Sequence, residues 1–217
     1  MPVILLHGLG QGPSSWDAAA AALDREVLCP ALLAPVPGQA FTYPRLYRAF
    51  AGYCGGLEGP LHLCGLSLGG IFALQYAAEH PDRVGSLVLI AAQYVMPKRL
   101  LAFQNLAFRL LPGGAFRGMG LTKGEVLGLT RSMMDLDFRE DLGRISCPTL
   151  VLCGQRDRAN RKAALGLHQG IPGSGLVWVP GAGHEVNTQA PEALATILTE
   201  FWGPAGPGGS APSGDFL

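Results

Sequence analysis

Short, predominantly apolar runs alternate with helix-forming segments along most of the chain, and this alternation restricts the fold more than any other feature. The runs are apolar on successive residues, which is typical of strands buried on both faces of a parallel sheet. They occupy residues 3–6, 27–29, 61–66, 84–91, 149–153 and 176–179. Helices are predicted at about residues 14–23, 44–54, 68–79, 160–168 and 191–202. The pattern therefore predicts an α/β fold with a doubly wound, mostly parallel sheet.

One long segment, from about residue 93 to residue 145, breaks the alternation because it carries no strand signal. It holds a predicted helix at 100–111 that is apolar on nearly every side, and a second at about 123–134. An insertion of this size between two strands predicts a short helical lid. A helix needs only one apolar stripe to pack on a core. We therefore predict that this helix, through Phe103 and Phe108, contacts the apolar part of a substrate.

The first predicted helix also carries a local signal. Ser14 and Asp17 have the Ser-x-x-Asp spacing of a capping box, in which the two side chains satisfy the free N–H groups at the start of a helix. This spacing predicts that an α-helix begins directly after Ser14.

The candidate nucleophile follows the strand predicted at 61–66. Residues 65–69 read Gly-Leu-Ser-Leu-Gly, a Gly-x-Ser-x-Gly match between a strand and a helix. A turn this sharp holds its serine in a strained conformation, at a strand's carboxyl end where parallel sheets bind ligands. Ser67 is thus predicted to be a nucleophile. The alternative is a serine that caps the helix on a glycine-rich turn.

A serine hydroxyl needs a base, and the chain has five histidines: His7, His62, His80, His168 and His184. His184 alone lies in a glycine-flanked loop directly after a predicted strand, at the edge where Ser67 is expected. We therefore predict that His184 is the base, the alternative being a surface or capping histidine.

The imidazole in turn needs a carboxylate. The aspartates between Ser67 and His184 are Asp82, Asp135, Asp137, Asp141 and Asp157. Asp157 is predicted to be the acid because it alone follows a strand. Its alternative is a surface carboxylate paired with Arg156 or Arg158, in which case Asp135 or Asp137 would be the next candidates.

Attack by Ser67 would create an oxyanion that positioned N–H groups must stabilise. Backbone amides suffice for this, and the glycine-rich turn after the first strand can supply one of them. The predicted donors are the amides of Leu9, in that turn, and of Leu68, next to the candidate nucleophile.

Four motifs occur in one order: His-Gly-x-Gly at 7–10, Gly-x-Ser-x-Gly at 65–69, Gly-x-x-Asp at 154–157 and Gly-x-Gly-His at 181–184. In this order the chain resembles the α/β-hydrolase superfamily, and within it the small bacterial esterase- and lactonase-like members, over residues 1 to about 202. The resemblance implies Ser67 as nucleophile, Asp157 as acid, His184 as base, Leu9 and Leu68 as oxyanion donors, and no cofactor. The chain departs from the family pattern in two ways. Its fold is truncated at the N-terminus, and its lid is short.

Composition excludes several classes of protein. The chain has 16 Lys and Arg against 16 Asp and Glu, so a nucleic-acid partner is not expected. Five cysteines without a Cys-x-x-Cys pair predict neither a disulfide framework nor a zinc site, and hence no metal. The cysteine pattern instead favours a protein of the reducing cytoplasm. No apolar run is long enough for a signal peptide or a membrane span. Residues 203–217, eight of them Gly or Pro, are predicted to be disordered.

Together these features predict a serine hydrolase that cleaves carboxylic ester, thioester or lactone bonds of small apolar acyl substrates through an acyl-enzyme. A C–C hydrolase or lyase using the same triad, and a weakly catalytic ligand-binding protein, remain alternatives, because fold does not fix function. Contact with a membrane is less favoured. Its support is a set of basic residues in the lid, at Lys98, Arg99, Arg109, Arg117 and Lys123. The oligomeric state is left open.

Overall fold

The computed structural model describes residues 1–33 and 40–203, without the side chains of seven residues in the helical insertion. These seven are Arg99, Leu100, Phe103, Gln104, Ala107, Arg117 and Met119. The predicted disordered tail lies, from residue 204 onward, outside the described residues.

A six-stranded sheet in the order β2-β1-β3-β4-β5-β6 forms the centre of the molecule, and all five pairings are parallel. Its strands are β1 (Val3–Leu6), β2 (Val27–Leu28), β3 (Leu61–Leu66), β4 (Val84–Ile90), β5 (Thr149–Gly154) and β6 (Gly175–Val179). The order reverses between β1 and β3, so helices cover both faces, which explains why the central strands are apolar on successive residues. The predicted fold class is confirmed.

Eight α-helices connect or flank the strands in the described part of the chain. They are α1 (Asp17–Ala21), α2 (Tyr43–Gly55), α3 (Leu68–Glu79), α4 (Lys98–Leu110), α5 (Lys123–Ser132), α6 (Arg161–Gly170), α7 (Val186–Gln189) and α8 (Pro191–Trp202).

Each face of the sheet has its own hydrophobic core. One core joins α2, α3, α6 and the helical insertion, with Phe72 and Phe50 stacked at 5.8 Å between ring centroids. The other joins α1, α7 and α8 around Trp16 and Leu198, which are completely buried. Helix α3 is buried along almost its whole length, and its first residue follows Ser67.

The helical insertion (residues 93–145) contains α4 and α5 and short 3₁₀ turns. An isolated antiparallel bridge between Val95 and Asp137 joins its two ends. The first helix begins two residues before its predicted start and the second ends two residues early. Inside it, the buried Asn105 accepts a hydrogen bond from Thr130 Oγ1.

Within the described residues, no helix combines the length and the apolar character needed to cross a membrane.

The predicted capping box at Ser14 is wrong. Pro13–Trp16 forms a 3₁₀ turn whose residue Ser15 donates its hydroxyl to Gly12 O at 2.7 Å, and α1 begins only at Asp17. A capping box exists instead at the start of α5. There Thr122 N donates to Glu125 Oε2 at 2.7 Å and Thr122 Oγ1 accepts from Glu125 N at 3.3 Å.

Candidate active site

Ser67 occupies the turn between β3 and α3 with φ 52° and ψ −112°, a region that non-glycine residues rarely adopt. Strain of this kind costs about 1–3 kcal/mol and persists only where the surroundings impose it. Here Ser67 N donates to Ile90 O of the neighbouring strand at 2.8 Å. The hydroxyl is therefore presented at the carboxyl edge of the sheet, at the positive end of the α3 dipole.

The two glycines of the Gly-x-Ser-x-Gly motif make this turn possible, because at both positions another backbone segment lies so close that a side chain has no room. A Cβ on Gly69 would lie 2.4 Å from Leu6 O in β1, and a Cβ on Gly65 would lie 2.4 Å from Gly69 O. Neither contact can relax by rotating a side chain, so any larger residue would push α3 away from the sheet.

Asp157 and His184 meet at the same edge of the sheet. His184 Nδ1 lies 2.9 Å from Asp157 Oδ2, and the aspartate side chain is only 5% exposed while the histidine side chain is 44% exposed. A buried carboxylate accepts from a ring nitrogen that carries hydrogen, so we assign the proton to Nδ1. In this tautomer the ring offers Nε2 as a free acceptor, and Nε2 has no hydrogen-bond partner among the described residues.

The loops after β5 and β6, which carry these two residues, are held together through their backbones. Arg156 N donates to Ala182 O at 2.9 Å, and Gly154 lies so close that an added Cβ would be 2.1 Å from Gly183 O. Gln189 in α7 accepts from Gly183 N at 2.6 Å through its side-chain Oε1. The separation of the acid and the base is therefore fixed mainly by backbone.

Asn160 also contacts the pair. Its Nδ2 lies 2.8 Å from Asp157 Oδ2 and 3.1 Å from His184 Nδ1, and its backbone N donates to Asp157 Oδ1 at 3.2 Å. Gln93, which follows β4, donates from Nε2 to Asn160 Oδ1 at 2.7 Å. Both residues belong to the polar surroundings of the site.

The predicted oxyanion donors lie where strands β1 and β3 end. Neither Leu9 N nor Leu68 N has a hydrogen-bond acceptor among the described residues, so both N–H groups are available to a ligand. The β1 loop is held by Gln11, whose Oε1 accepts from Gly8 N at 3.3 Å. Gln11 also pairs amide to amide with the fully buried Asn187 of α7, at 3.2 Å in each direction. This pair ties the β1 loop to the segment that follows His184.

His7 is buried and supports the same loop. Its Nδ1 bonds Gly8 O at 3.0 Å while Nε2 accepts from Leu32 N at 3.1 Å, which requires the neutral ring. Burial lowers the pKa of His7, consistent with a neutral structural role.

The other candidate acids are involved in exposed ion pairs. Asp135 pairs with Lys98 at 2.7 Å, and Asp137 pairs with Arg139 at 2.6 Å. The hydrogen bonds from Arg139 lower the pKa of Asp137. These carboxylates lie in the helical insertion and make no hydrogen bond to His184.

A cavity of about 660 Å³ opens beside Ser67. Its apolar wall comprises Leu9, Leu68, Ile71, Met96, Leu101 and Met133. Its polar wall includes Gln93, Tyr94, Thr130, Asn160, Arg139 and Lys162. A largely apolar cleft with a few polar groups is the usual form of a small-molecule site.

The structure does not bring Phe108 to this cavity. Phe108 packs edge-on against the buried Phe116, with ring centroids 5.3 Å apart, and the side chain of Phe103 is outside the described residues. The physical reason is position along α4. Leu101 lines the cavity, and Phe108 lies seven residues further, or about 10 Å at helical rise. The insertion therefore contacts the cavity through Leu101, Met96 and Met133 instead.

Comparison with known proteins identifies the family of the chain. The model of the alpha/beta hydrolase family matches residues 3–197. The chain belongs to that family.

Curated relatives of this hydrolase carry names that refer to different substrates. A pimeloyl-[acyl-carrier protein] methyl ester esterase of Neisseria meningitidis is 28% identical, with 92% of each chain covered. A 2-hydroxy-6-oxononadienedioate/2-hydroxy-6-oxononatrienedioate hydrolase of Cupriavidus pinatubonensis is 26% identical, covering 93% of this chain and 86% of the relative.

Solved structures agree on the fold. A hydrolase from Pseudomonas aeruginosa PA01 superposes with a TM-score of 0.80 at 24% identity, covering 93% of this chain and 89% of that one. A thermophilic esterase from Thermogutta terrifontis superposes with a TM-score of 0.76 at 26% identity and the same coverage.

Cysteine is a poor nucleophile in this hydrolase. Burial, and secondarily Asp157, raises the pKa of Cys153 to about 11, and burial raises the pKa of Cys54 to about 12. Thiols with pKa values this high stay protonated at neutral pH. The described residues hold no group of three or more His, Cys, Asp or Glu side chains arranged for a metal ion.

Sequence reasoning missed Asn160 and Gln93, as well as Gln11 and Asn187. Asn160 is an ordinary residue type for the position before a helix, and Gln93 and Gln11 lie in loops with no motif of their own. Their contacts reach across 67 and 176 residues of sequence, so only the folded chain reveals them.

Proposed function

We propose that this hydrolase cleaves carboxylic ester bonds of small, mainly apolar acyl substrates, with Ser67 as nucleophile. The observation that carries the proposal is the Asp157–His184 contact of 2.9 Å at the sheet edge where Ser67 has φ 52°. The mainly apolar cavity beside Ser67 supplies the room for an acyl group.

In the proposed reaction His184 Nε2 removes the hydroxyl proton as Ser67 Oγ bonds to the ester carbonyl carbon. Asp157 stabilises the imidazolium that forms, and the N–H groups of Leu9 and Leu68 stabilise the oxyanion. Collapse of the tetrahedral intermediate breaks the bond to the alcohol, which leaves with the proton from His184. Water activated by His184 then attacks the acyl-enzyme and releases the carboxylic acid and free Ser67.

The free Nε2 of His184 suits this role, since the nucleophile–base hydrogen bond is often long before substrate binds. The His184 side chain is 44% exposed and the Asp157 side chain only 5%, so the proposed mechanism assigns contact with Ser67 to the ring and not to the buried carboxylate. We further propose that the helical insertion acts as a lid over the cavity, since Met96, Leu101 and Met133 form part of its wall.

The direct test compares hydrolysis of p-nitrophenyl butyrate by wild type, Ser67→Ala and Ser146→Ala. Ser146 is an exposed serine before β5, and its side chain makes no hydrogen bond in the described structure, which makes it a matched control. We expect Ser67→Ala to lose at least about 10³-fold in kcat, because the loss of a triad nucleophile is of that order. Equal rates for all three proteins would refute the proposal.

C–C bond hydrolysis is the second candidate because a relative named for a dioate substrate covers most of the chain. Lys162, and Arg139, which is paired with Asp137, are cationic side chains on the cavity wall and are compatible with a carboxylate-bearing substrate. A panel pairing simple acyl esters with a 2-hydroxy-6-oxo dienoate separates the two. A kcat/KM that is at least tenfold higher for the dienoate would favour C–C hydrolysis.

A further inference from the structure

The Asp157 carboxylate is buried, and its hydrogen bonds come from very few groups. Within the described structure its oxygens accept from Asn160 N, Asn160 Nδ2 and His184 Nδ1. Asn160 therefore supplies every hydrogen bond to this carboxylate except that of His184. A buried carboxylate needs such donors to remain charged and fixed in orientation.

Asn160 makes these contacts in place of the one its position favours. It is the N-cap residue of α6, where an asparagine side-chain oxygen ordinarily accepts from a backbone N–H of the first turn. Here the side chain makes no capping hydrogen bond. Its Oδ1 accepts from Gln93 and its Nδ2 faces Asp157 and His184. The side chain thus serves the acid–base pair rather than the helix.

The orientation of the Asn160 amide follows from its two neighbours. The carboxylate of Asp157 accepts only, so it requires Nδ2 rather than Oδ1 to face it. Gln93 Nε2 donates to Oδ1 on the other side and holds the same orientation. The 3.1 Å approach of Nδ2 to His184 Nδ1 then reflects two donors that converge on one oxygen, Asp157 Oδ2.

We propose that Asn160, oriented by Gln93, is a positioning residue that fixes the Asp157 carboxylate in the rotation required by His184. It acts through Asp157, and within the described structure it makes no hydrogen bond to Ser67 Oγ or to His184 Nε2. Without the Asn160 side chain, the carboxylate loses the Nδ2 donor at Oδ2 and keeps only the backbone N–H of residue 160 at Oδ1, so it is held less firmly against the imidazolium that forms during attack. The inference rests on the proposed function, since it assigns a role within that triad.

The orientation of the Asn160 amide can be tested by a substitution at Gln93. Gln93→Glu replaces the Nε2 donor with an acceptor, so the amide of Asn160 is drawn to rotate Nδ2 toward residue 93. Oδ1 would then face Asp157, and two acceptors would repel each other. A change in Gln93, which makes no hydrogen bond to Asp157 or His184 within the described structure, should therefore impair the function of both residues.

The test measures kcat and KM for a p-nitrophenyl ester in Asn160→Ala, Gln93→Glu, Gln93→Met and the Asn160→Ala/Gln93→Glu double variant. Gln155→Ala, an exposed change in the same loop, is the control. Because the lost hydrogen bond involves a charged group, Asn160→Ala should lower kcat about 10- to 100-fold and change KM less than about twofold. Gln93→Glu should lower kcat similarly, and Gln93→Met by less.

The double-variant cycle separates this role from a contact with substrate. Gln93→Glu should reduce kcat by less than about twofold further when Asn160 is already alanine, because residues in one network are not additive. An equal effect in both backgrounds, or an effect confined to KM, would overturn the proposal. So would a kcat within threefold of wild type for Asn160→Ala. If Asn160→Ala does not fold, the comparison of Gln93→Glu with Gln93→Met tests the proposal by itself. Equal kcat values for these two variants would then refute the positioning role.

Failure of the inference is distinguishable from failure of the proposed function. If wild type does not hydrolyse the ester, or Ser67→Ala hydrolyses it equally well, the proposed function has failed. If Ser67 is essential and the Asn160 and Gln93 variants match wild type, the positioning role alone is refuted.

Discussion

Gly154→Ala tests whether backbone contact between two loops sets the distance between acid and base. The added Cβ would lie 2.1 Å from Gly183 O and 2.5 Å from Ala182 O. Ordinary contact begins near 3.4 Å, so the loops must separate by about 1.3 Å, since neither backbone oxygen can rotate away. If the His184 loop moves as a unit, the 2.9 Å contact with Asp157 lengthens to about 4 Å, beyond hydrogen-bonding range.

The expected effects are a loss of activity and a moderate loss of stability. A displacement of about 1 Å at a catalytic group can cost about 100-fold, so kcat should fall by that order. Overpacking costs about 1–3 kcal/mol, which in a chain of this size lowers Tm by about 2–12 °C. Steady-state kinetics with a p-nitrophenyl ester and thermal unfolding followed by circular dichroism measure the two effects.

Gly52→Ala is the matched control because its added Cβ, on the exposed side of α2, meets nothing within 4 Å. It should leave kcat unchanged and stabilise the fold by about 0.5–1 kcal/mol, as alanine does relative to glycine within helices. A Gly154→Ala protein with wild-type Tm and a kcat within threefold of wild type would refute the reasoning.

Three further predictions concern the triad, the cavity and pH. His184→Ala and Asp157→Asn should each lower kcat by about 10³-fold or more. Because the triad acts as a unit, the double variant should have a kcat only slightly below that of the less active single variant. Additive losses in steady-state kinetics would contradict this. Activity on p-nitrophenyl esters should rise about fourfold in kcat/KM per methylene until the cavity is filled, at about 0.8 kcal/mol each. Leu101→Ala should move that optimum to longer chains while Phe108→Ala leaves it in place, and the reverse pattern would return Phe108 to the site. Burial lowers the pKa of His62 from 6.5 to about 4, so the folded state favours the neutral ring. Its contribution to stability is present above pH 6.5 and is lost as pH falls toward 4. His62→Asn should therefore lose less Tm than wild type between pH 7 and pH 4.5, and equal losses would show that His62 does not contribute.

The sheet could be predicted from sequence because its central strands are buried on both faces. An apolar run such as 61–66 carries that information locally, without knowledge of its partners. The same holds for the turn at Ser67, where adjacent glycines mark close backbone approach. Local patterns of this kind suffice when the physical cause is also local.

Prediction failed where the deciding contacts are distant or compete with each other. Ser14 has the spacing of a capping box, but Pro13 favours a 3₁₀ turn and the hydroxyl of Ser15 bonds Gly12 O instead. The apolar character of α4 on every side predicts that Phe108 contacts a substrate, whereas in the structure Phe108 packs edge-on against Phe116 and does not line the cavity beside Ser67. The polar residues around the acid and base were missed because their partners lie on other loops.

The most direct test of the proposed mechanism is to locate the nucleophile chemically. Wild-type protein is treated with a fluorophosphonate probe, digested and mapped by tandem mass spectrometry, with His184→Ala treated in parallel. The mechanism predicts a single stoichiometric adduct on the Ser67 Oγ of wild type and labelling slowed by at least about 100-fold in His184→Ala, since the activating base is lost. An adduct on another residue, or Ser67 labelling at equal rates in both proteins, would contradict the mechanism.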